Sequence, residues 1–256
     1  MSADLVPPSP WQRLRQFTHA RIALGRAGNS QPTAALLAFG LAHAQARDAV
    51  HQPLDVAPLL LALEQAGFGC VRAHSAAPDR AHFLRRPDLG RTLDADSQER
   101  LRASAAASPC DVAFVIADGL SAQAAQRHAL PVLLAVRELL PDWRIGPVVL
   151  AEQSRVALGD EIGQLLGARQ VVMMIGERPG LSSPDSLGLY LTYGPRPGRS
   201  DAERNCISNV RPEGLPYRAA AARLVWLLRG AAALGCSGVR LKDESDAAGT
   251  LAGTGK

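Results

Sequence analysis

The sequence predicts an α/β fold: a Rossmann-like parallel sheet flanked by helices, with an N-terminal helical extension. Two observations carry the prediction. From Asp111 onward, short apolar runs, DVAFVIADG, GPVVLAEQS and QVVMMIGERPG, alternate with amphipathic segments of helical period. That is the pattern of β-α-β crossovers, which join right-handedly into a parallel sheet. The composition agrees, because 47% of the residues are hydrophobic but only 4% aromatic, as suits Ala-rich helices packed closely on a sheet.

Taken in chain order, residues 1–17 contain three prolines and few apolar anchors, and read as a poorly ordered lead-in. Residues 18–109 read as a helical region and connecting segment. The chain breaks at Gly25, Gly28 and Asn29 and then turns helical, with Leu36, Leu37, Phe39, Gly40, Leu41 and Ala44 on an apolar face and Thr33 placed to cap it. A second helix runs from Ala57 to Ala66, after Pro53 and before Gly67. GCVRAHSA is a short strand, followed by a loop from Arg85 to Arg91.

Residues 110–243 form the Rossmann-like part. AQAAQRHALPVLLAVRELL is a helix with an internal proline, and DEIGQLLGA a short one. The segment from Gly176 to Gly214 is rich in glycine, proline and charge and reads mainly as a long loop, with LYLTYGPR a further strand. PYRAAAARLVWLLRGAAALG is the clearest helix: Pro216 suits its first turn, Leu224, Leu227, Leu228 and Ala231 share a face, and Gly235 stops it. Residues 244–256 are a small, polar, flexible tail.

Bulk properties exclude several classes. The charge of +4 comes from arginines spread along the chain, without the dense basic runs of a nucleic-acid-binding tail. Four cysteines, Cys70, Cys110, Cys206 and Cys236, form no CxxC pair, so neither a zinc site nor a secreted disulfide framework is indicated. No signal-peptide core is evident and no run approaches the ~20 apolar residues of a membrane span. A soluble cytoplasmic protein is expected.

Ligands on open parallel sheets sit beyond the carboxyl ends of the strands. Those ends are Asp118–Ser121, Glu152–Val156 and Gly176–Gly180. Neither G-x-G-x-x-G nor G-x-x-x-x-G-K-[ST] occurs there, so both nucleotide fingerprints fail. The six histidines are scattered, and His43 and His51, eight apart, do not match metal-ligand spacing. Cys206, among Arg204, Asn205 and Asn209, is read either as an inert buried thiol or as a nucleophile awaiting a base from elsewhere. Glu177, directly after the third strand, is either a ligand-facing carboxylate or a solvated one paired with Arg178. No catalytic set is complete.

The stretch GERPGLSSPDSLGLYLTYGPRPGRSDAERNCISNVRPEGLPYRAAAARL resembles the small (light) subunit of ethanolamine ammonia-lyase. RIALGRAGNSQPTAALLAFGLAHAQARDAV, LRRPDLGRTL and VIADGLSA extend the resemblance in the family's order over about residues 18–243. It implies an adenosylcobalamin-dependent lyase that converts ethanolamine to acetaldehyde and ammonia. In that family a large (heavy) TIM-barrel subunit holds the substrate, and the small subunit covers the cobalamin from the other side. The resemblance places Val156, Glu177 and Cys206 at cofactor-contacting positions and assigns this chain no catalytic residue and no metal ligand. The D-x-H-x-x-G pattern by which some cobalamin proteins supply a lower ligand is absent here. The rival readings are a stand-alone enzyme using Cys206 and a purely structural subunit. Enclosure in a bacterial microcompartment, as in some relatives, is not decided by the sequence.

Overall fold

The computed structural model describes residues 9–105 and 109–245, so the expectations for residues 1–8 and for the tail from 246 lie outside the described residues. Pro10–Phe17 form a 3-10 helix, entered through Ser9, whose hydroxyl accepts the Trp11 N–H at 3.3 Å. The elements that follow are α1 (Thr33–His51), α2 (Val56–Gln65), β1 (Cys70–His74), α3 (Arg80–Arg85), α4 (Ala95–Ala103), β2 (Val112–Ala117), α5 (Ala122–Leu139), β3 (Val148–Glu152), α6 (Leu158–Leu165), β4 (Gln170–Gly176), β5 (Leu187–Tyr193), β6 (Arg204–Val210) and α7 (Tyr217–Leu234).

The six strands make one sheet in the order β1-β3-β2-β4-β5-β6. The expected α/β class is therefore what the chain adopts. β1, β3, β2 and β4 are parallel, whereas β5 and β6 run antiparallel to their neighbours. β1 comes from the segment before residue 110, so the sheet draws on both regions distinguished in the sequence.

Strand alternation sorts the core into two layers. Phe114, Ile116, Leu150, Val172, Met174, Leu187, Leu189 and Leu191 face α2, α5 and α7. Ala113, Val115, Val149, Val171, Met173 and Ile175 face the other way, where α4 packs on β1 and α6 on β4. Helix α7 keeps the expected limits, with Pro216 at its N-cap and Gly235 in the left-handed conformation at its end.

Two expectations about α1 need correction. Thr33 does not cap the helix: Pro32 is the N-cap, and its carbonyl takes the Ala35 and Leu36 N–H groups. Proline preorganises the chain for that turn, and Thr33 is already helical. The apolar face is also not packed within the chain. Leu36, Leu37, Phe39 and Leu41 are 57%, 68%, 43% and 62% exposed, and only Ala42 and Ala49 of the helix are buried. Among the described residues no helix is long and apolar enough to cross a membrane.

One ion pair joins the layers at the antiparallel end of the sheet. Arg204, opening β6, donates from both terminal nitrogens to the two carboxylate oxygens of Asp160 on α6, each at 2.7 Å, and also to Thr192 Oγ1 on β5 at 2.8 Å. Both residues are buried. Burial works against both charges, yet the Asp160 carboxylate holds the Arg204 guanidinium above its ordinary pKa, while burial pushes the Asp160 carboxyl up. Bidentate geometry is what lets such a pair offset desolvation. Breaking it by Arg204→Met or Asp160→Leu alone should destabilise the protein by ~3–5 kcal/mol, because each leaves an uncompensated buried charge. Denaturant unfolding of the single and double variants checks this. The double variant should lose much less than the sum of the singles, and additive losses would contradict the coupling.

Candidate functional site at the carboxyl ends of the strands

Asp118, directly after β2, organises this end of the sheet. It is buried and accepts the backbone N–H groups of Gly119 (2.8 Å), Gln153 (2.9 Å) and Ser154 (3.0 Å), together with Arg80 Nη1 at 3.2 Å. Burial pushes its carboxyl up, against the pull of those donors. The contacts fix the loop from β3 to α6, where Gln153 takes a left-handed φ of 54°. Arg155 holds the far side of the same loop: its N–H bonds the Gly90 carbonyl at 2.8 Å, and its guanidinium lies 4.1 Å from the Phe83 ring centroid. LRRPDLGRTL and VIADGLSA, far apart in sequence, therefore both support Val156.

The turn after β4 is equally constrained. A Cβ on Gly176 would lie 1.9 Å from the Ser121 carbonyl oxygen, so only glycine allows β4 to pass the β2–α5 turn this closely. Beyond the crossing, the loop to β5 is tied down by Ser121 Oγ donating to the Pro184 carbonyl at 2.8 Å and by Arg127 to Asp185 at 3.3 Å.

Glu177 follows at once and is half-buried. Its backbone N–H bonds the Ser186 carbonyl at 2.9 Å, and its Oε2 accepts from the Ser186 hydroxyl at 2.5 Å and the Asn209 N–H at 3.4 Å. The carboxylate is thus turned toward β5 and β6 and held by these donors.

Cys206 lies on β6, not in a loop, and is exposed rather than buried. It stands opposite Tyr190 of β5, which itself pairs with Met173 of β4, so the three form one transverse row. The neighbouring row places Gly188 opposite Ile175. Val156, half-buried, packs against the layer containing Met173 and Ile175, as does Tyr190. The structure therefore brings Glu177 and Cys206 together around Gly188 and Tyr190 and sets Val156 on the same layer. A cleft of about 350 Å³ lined by Gln52, Asp55, Gln123 and Arg127 lies elsewhere, and none of the three candidates lines it.

Tyr190, Gly188 and Ser186 were missed from the sequence. A signal was present in LGLYLTY: Leu187, Leu189 and Leu191 alternate with Gly188, Tyr190 and Thr192, the period of a strand with two different faces. RNCISNV carries no such alternation, because its inward apolar residues, Ile207 and Val210, are three apart across an irregularity in the pairing with β5.

The model of the family described as ethanolamine ammonia-lyase light chain matches residues 8–242. The chain belongs to this family. Curated relatives named ethanolamine ammonia-lyase small subunit are 58% identical in Ralstonia nicotianae, over 94% of this chain and 91% of the relative, and 58% identical in Azotobacter vinelandii, over 94% and 90%. The relative from Xanthomonas campestris pv. campestris strain ATCC 33913 is 57% identical over 96% of this chain and 92% of its own.

The surroundings of Cys206 push its thiol pKa up rather than down. Desolvation by its neighbours raises that pKa, the Tyr190 hydroxyl opposes the shift, and the Glu177 charge adds to it. A nucleophilic cysteine needs the opposite arrangement. Among the described residues no group of three or more His, Cys, Asp or Glu side chains comes together as a metal site.

Proposed function

We propose that this light chain holds adenosylcobalamin against a large subunit, with Val156, Glu177 and Cys206 facing the cofactor, and that the assembled enzyme converts ethanolamine to acetaldehyde and ammonia. The observation that carries the proposal is convergence: residues from the β3–α6 loop, the end of β4 and the middle of β6 gather on one layer of the sheet. The family membership supports the reaction. The cofactor, when bound, supplies radical chemistry through its cobalt–carbon bond.

The residues fit such a group. A macrocycle ringed with amides and apolar edges calls for acceptors and apolar surface spread over a wide face. Glu177 offers carboxylate oxygens to amide N–H groups, Val156 offers apolar contact, and Cys206 a small polarisable one. Gly188 keeps that surface low: a Cβ there would lie 2.8 Å from both Glu177 Oε1 and the Tyr190 ring. The chain's share is binding and orientation, and substrate is held mainly by the large subunit. The uncovered leucines and phenylalanine of α1 are the surface this chain offers that subunit, since an apolar helix left bare in a single chain marks an interaction site.

Two outcomes test these assignments. In the co-expressed complex, Glu177→Ala should weaken adenosylcobalamin binding by ~10-fold or more, the scale of a lost hydrogen bond to a charged acceptor, whereas Arg178→Ala should leave it near wild type. Equal affinity for Glu177→Ala and wild type removes Glu177 from the site. For α1, the double substitution Leu37→Glu with Leu41→Glu should reduce co-purification of the large subunit by ~10-fold or more, because charge is forced into an apolar contact. Full recovery of the complex would show that α1 is not the docking surface.

A further inference from the structure

Tyr190 stands between Glu177 and Cys206: its ring approaches Gly188 beside the Glu177 carboxylate, and it pairs with Cys206 across the strands. Strand alternation takes Leu187, Leu189 and Leu191 into the layer covered by α5 and α7 and sends Tyr190 to the opposite layer, with Val156. There it stays half-buried. It is the cross-strand partner of Cys206, directly opposite it in the register. Because Gly188 has no side chain, the Tyr190 ring and the Glu177 carboxylate share the space a Cβ would fill.

We propose that Tyr190 is a further cofactor-contacting residue, whose ring forms the apolar floor, beside the Cys206 thiol, against which the corrin rests. The proposal rests on the cofactor-facing reading of this rim. An aromatic ring is suited to the task, because it supplies a broad apolar surface with few torsions to freeze.

The test uses the co-expressed two-subunit complex titrated with cyanocobalamin, which binds without turnover, with affinity read by equilibrium dialysis and assembly checked by gel filtration. Tyr190→Ala should bind about 10-fold more weakly or worse, as expected when one large apolar contact is lost. Tyr190→Phe keeps the ring and should stay within about three-fold of wild type. A Tyr190→Ala complex that does not assemble is replaced by Tyr190→Leu, which keeps apolar volume but loses the flat surface and should also be weakened. Wild-type affinity in the Ala or Leu variant, or a Phe variant as weak as either, overturns the proposal. Glu177→Ala separates the two levels: if it too binds like wild type, the cofactor-facing reading itself fails, and if it alone is weakened, only the assignment of Tyr190 falls.

Discussion

The buried bidentate pair between Arg204 and Asp160 is the constraint on which the rim depends. Asp160 sits in the first turn of α6, four residues after Val156, and Arg204 opens the strand that carries Cys206 two residues on. The pair therefore sets the position of the β3–α6 loop relative to the sheet edge, across two strands. A hydrophobic contact could hold α6 down, but it would tolerate sliding. Two parallel hydrogen bonds from a planar guanidinium fix both separation and orientation. Asp118 does the complementary work at the other end of the loop, where three backbone N–H groups and Arg80 converge on one carboxylate.

Held in this way, the rim exposes the Glu177 carboxylate and the Cys206 thiol on one broad face, and among the described residues around them no acid, base and nucleophile come together. That is what a chain contributing one wall of a shared site should look like. The antiparallel pair β5–β6 explains how it is built. Because β6 runs parallel to β4, the carboxyl ends of both strands reach the same edge, and Asn209 can meet Glu177. The helices packed on this hairpin, α5 and α7, lie on the other face, which leaves Tyr190 half-buried and Cys206 exposed on this one. The leucines of α1 are likewise left exposed by the chain.

Much of this was legible in the sequence. DVAFVIADG, GPVVLAEQS and QVVMMIGERPG are strands because buried parallel strands are apolar on both faces, and the end of the third drew attention to Glu177, whereas Val156, at the end of the second, was singled out only by the family resemblance. α7 was legible because its cap, face and stop agree. Three things were not. Thr33 looked like a cap, but Pro32 ended the preceding turn first. Leu36, Leu37, Phe39 and Leu41 read as an apolar face, but their exposure was not legible, because periodicity records an apolar stripe and not whether the rest of the chain packs on it. β6 read as loop, because the edge strand RNCISNV has only Ile207 and Val210 as buried apolar residues, and its polar Asn205, Ser208 and Asn209 resemble those of a surface connection. Tyr190 was overlooked for the same reason: its partner Cys206 could be placed only once the register was known.

The central claim is that Val156, Glu177 and Cys206 jointly face one bound cofactor at the subunit boundary. The most direct measurement is the structure of the co-expressed complex with cyanocobalamin bound. The account predicts all three side chains, and no others from the opposite face of the sheet, within about 4 Å of the corrin or its amide arms, the range of ordinary van der Waals and hydrogen-bond contact. A corrin separated from this layer by a shell of the large subunit, or seated against the α5–α7 face, would contradict it.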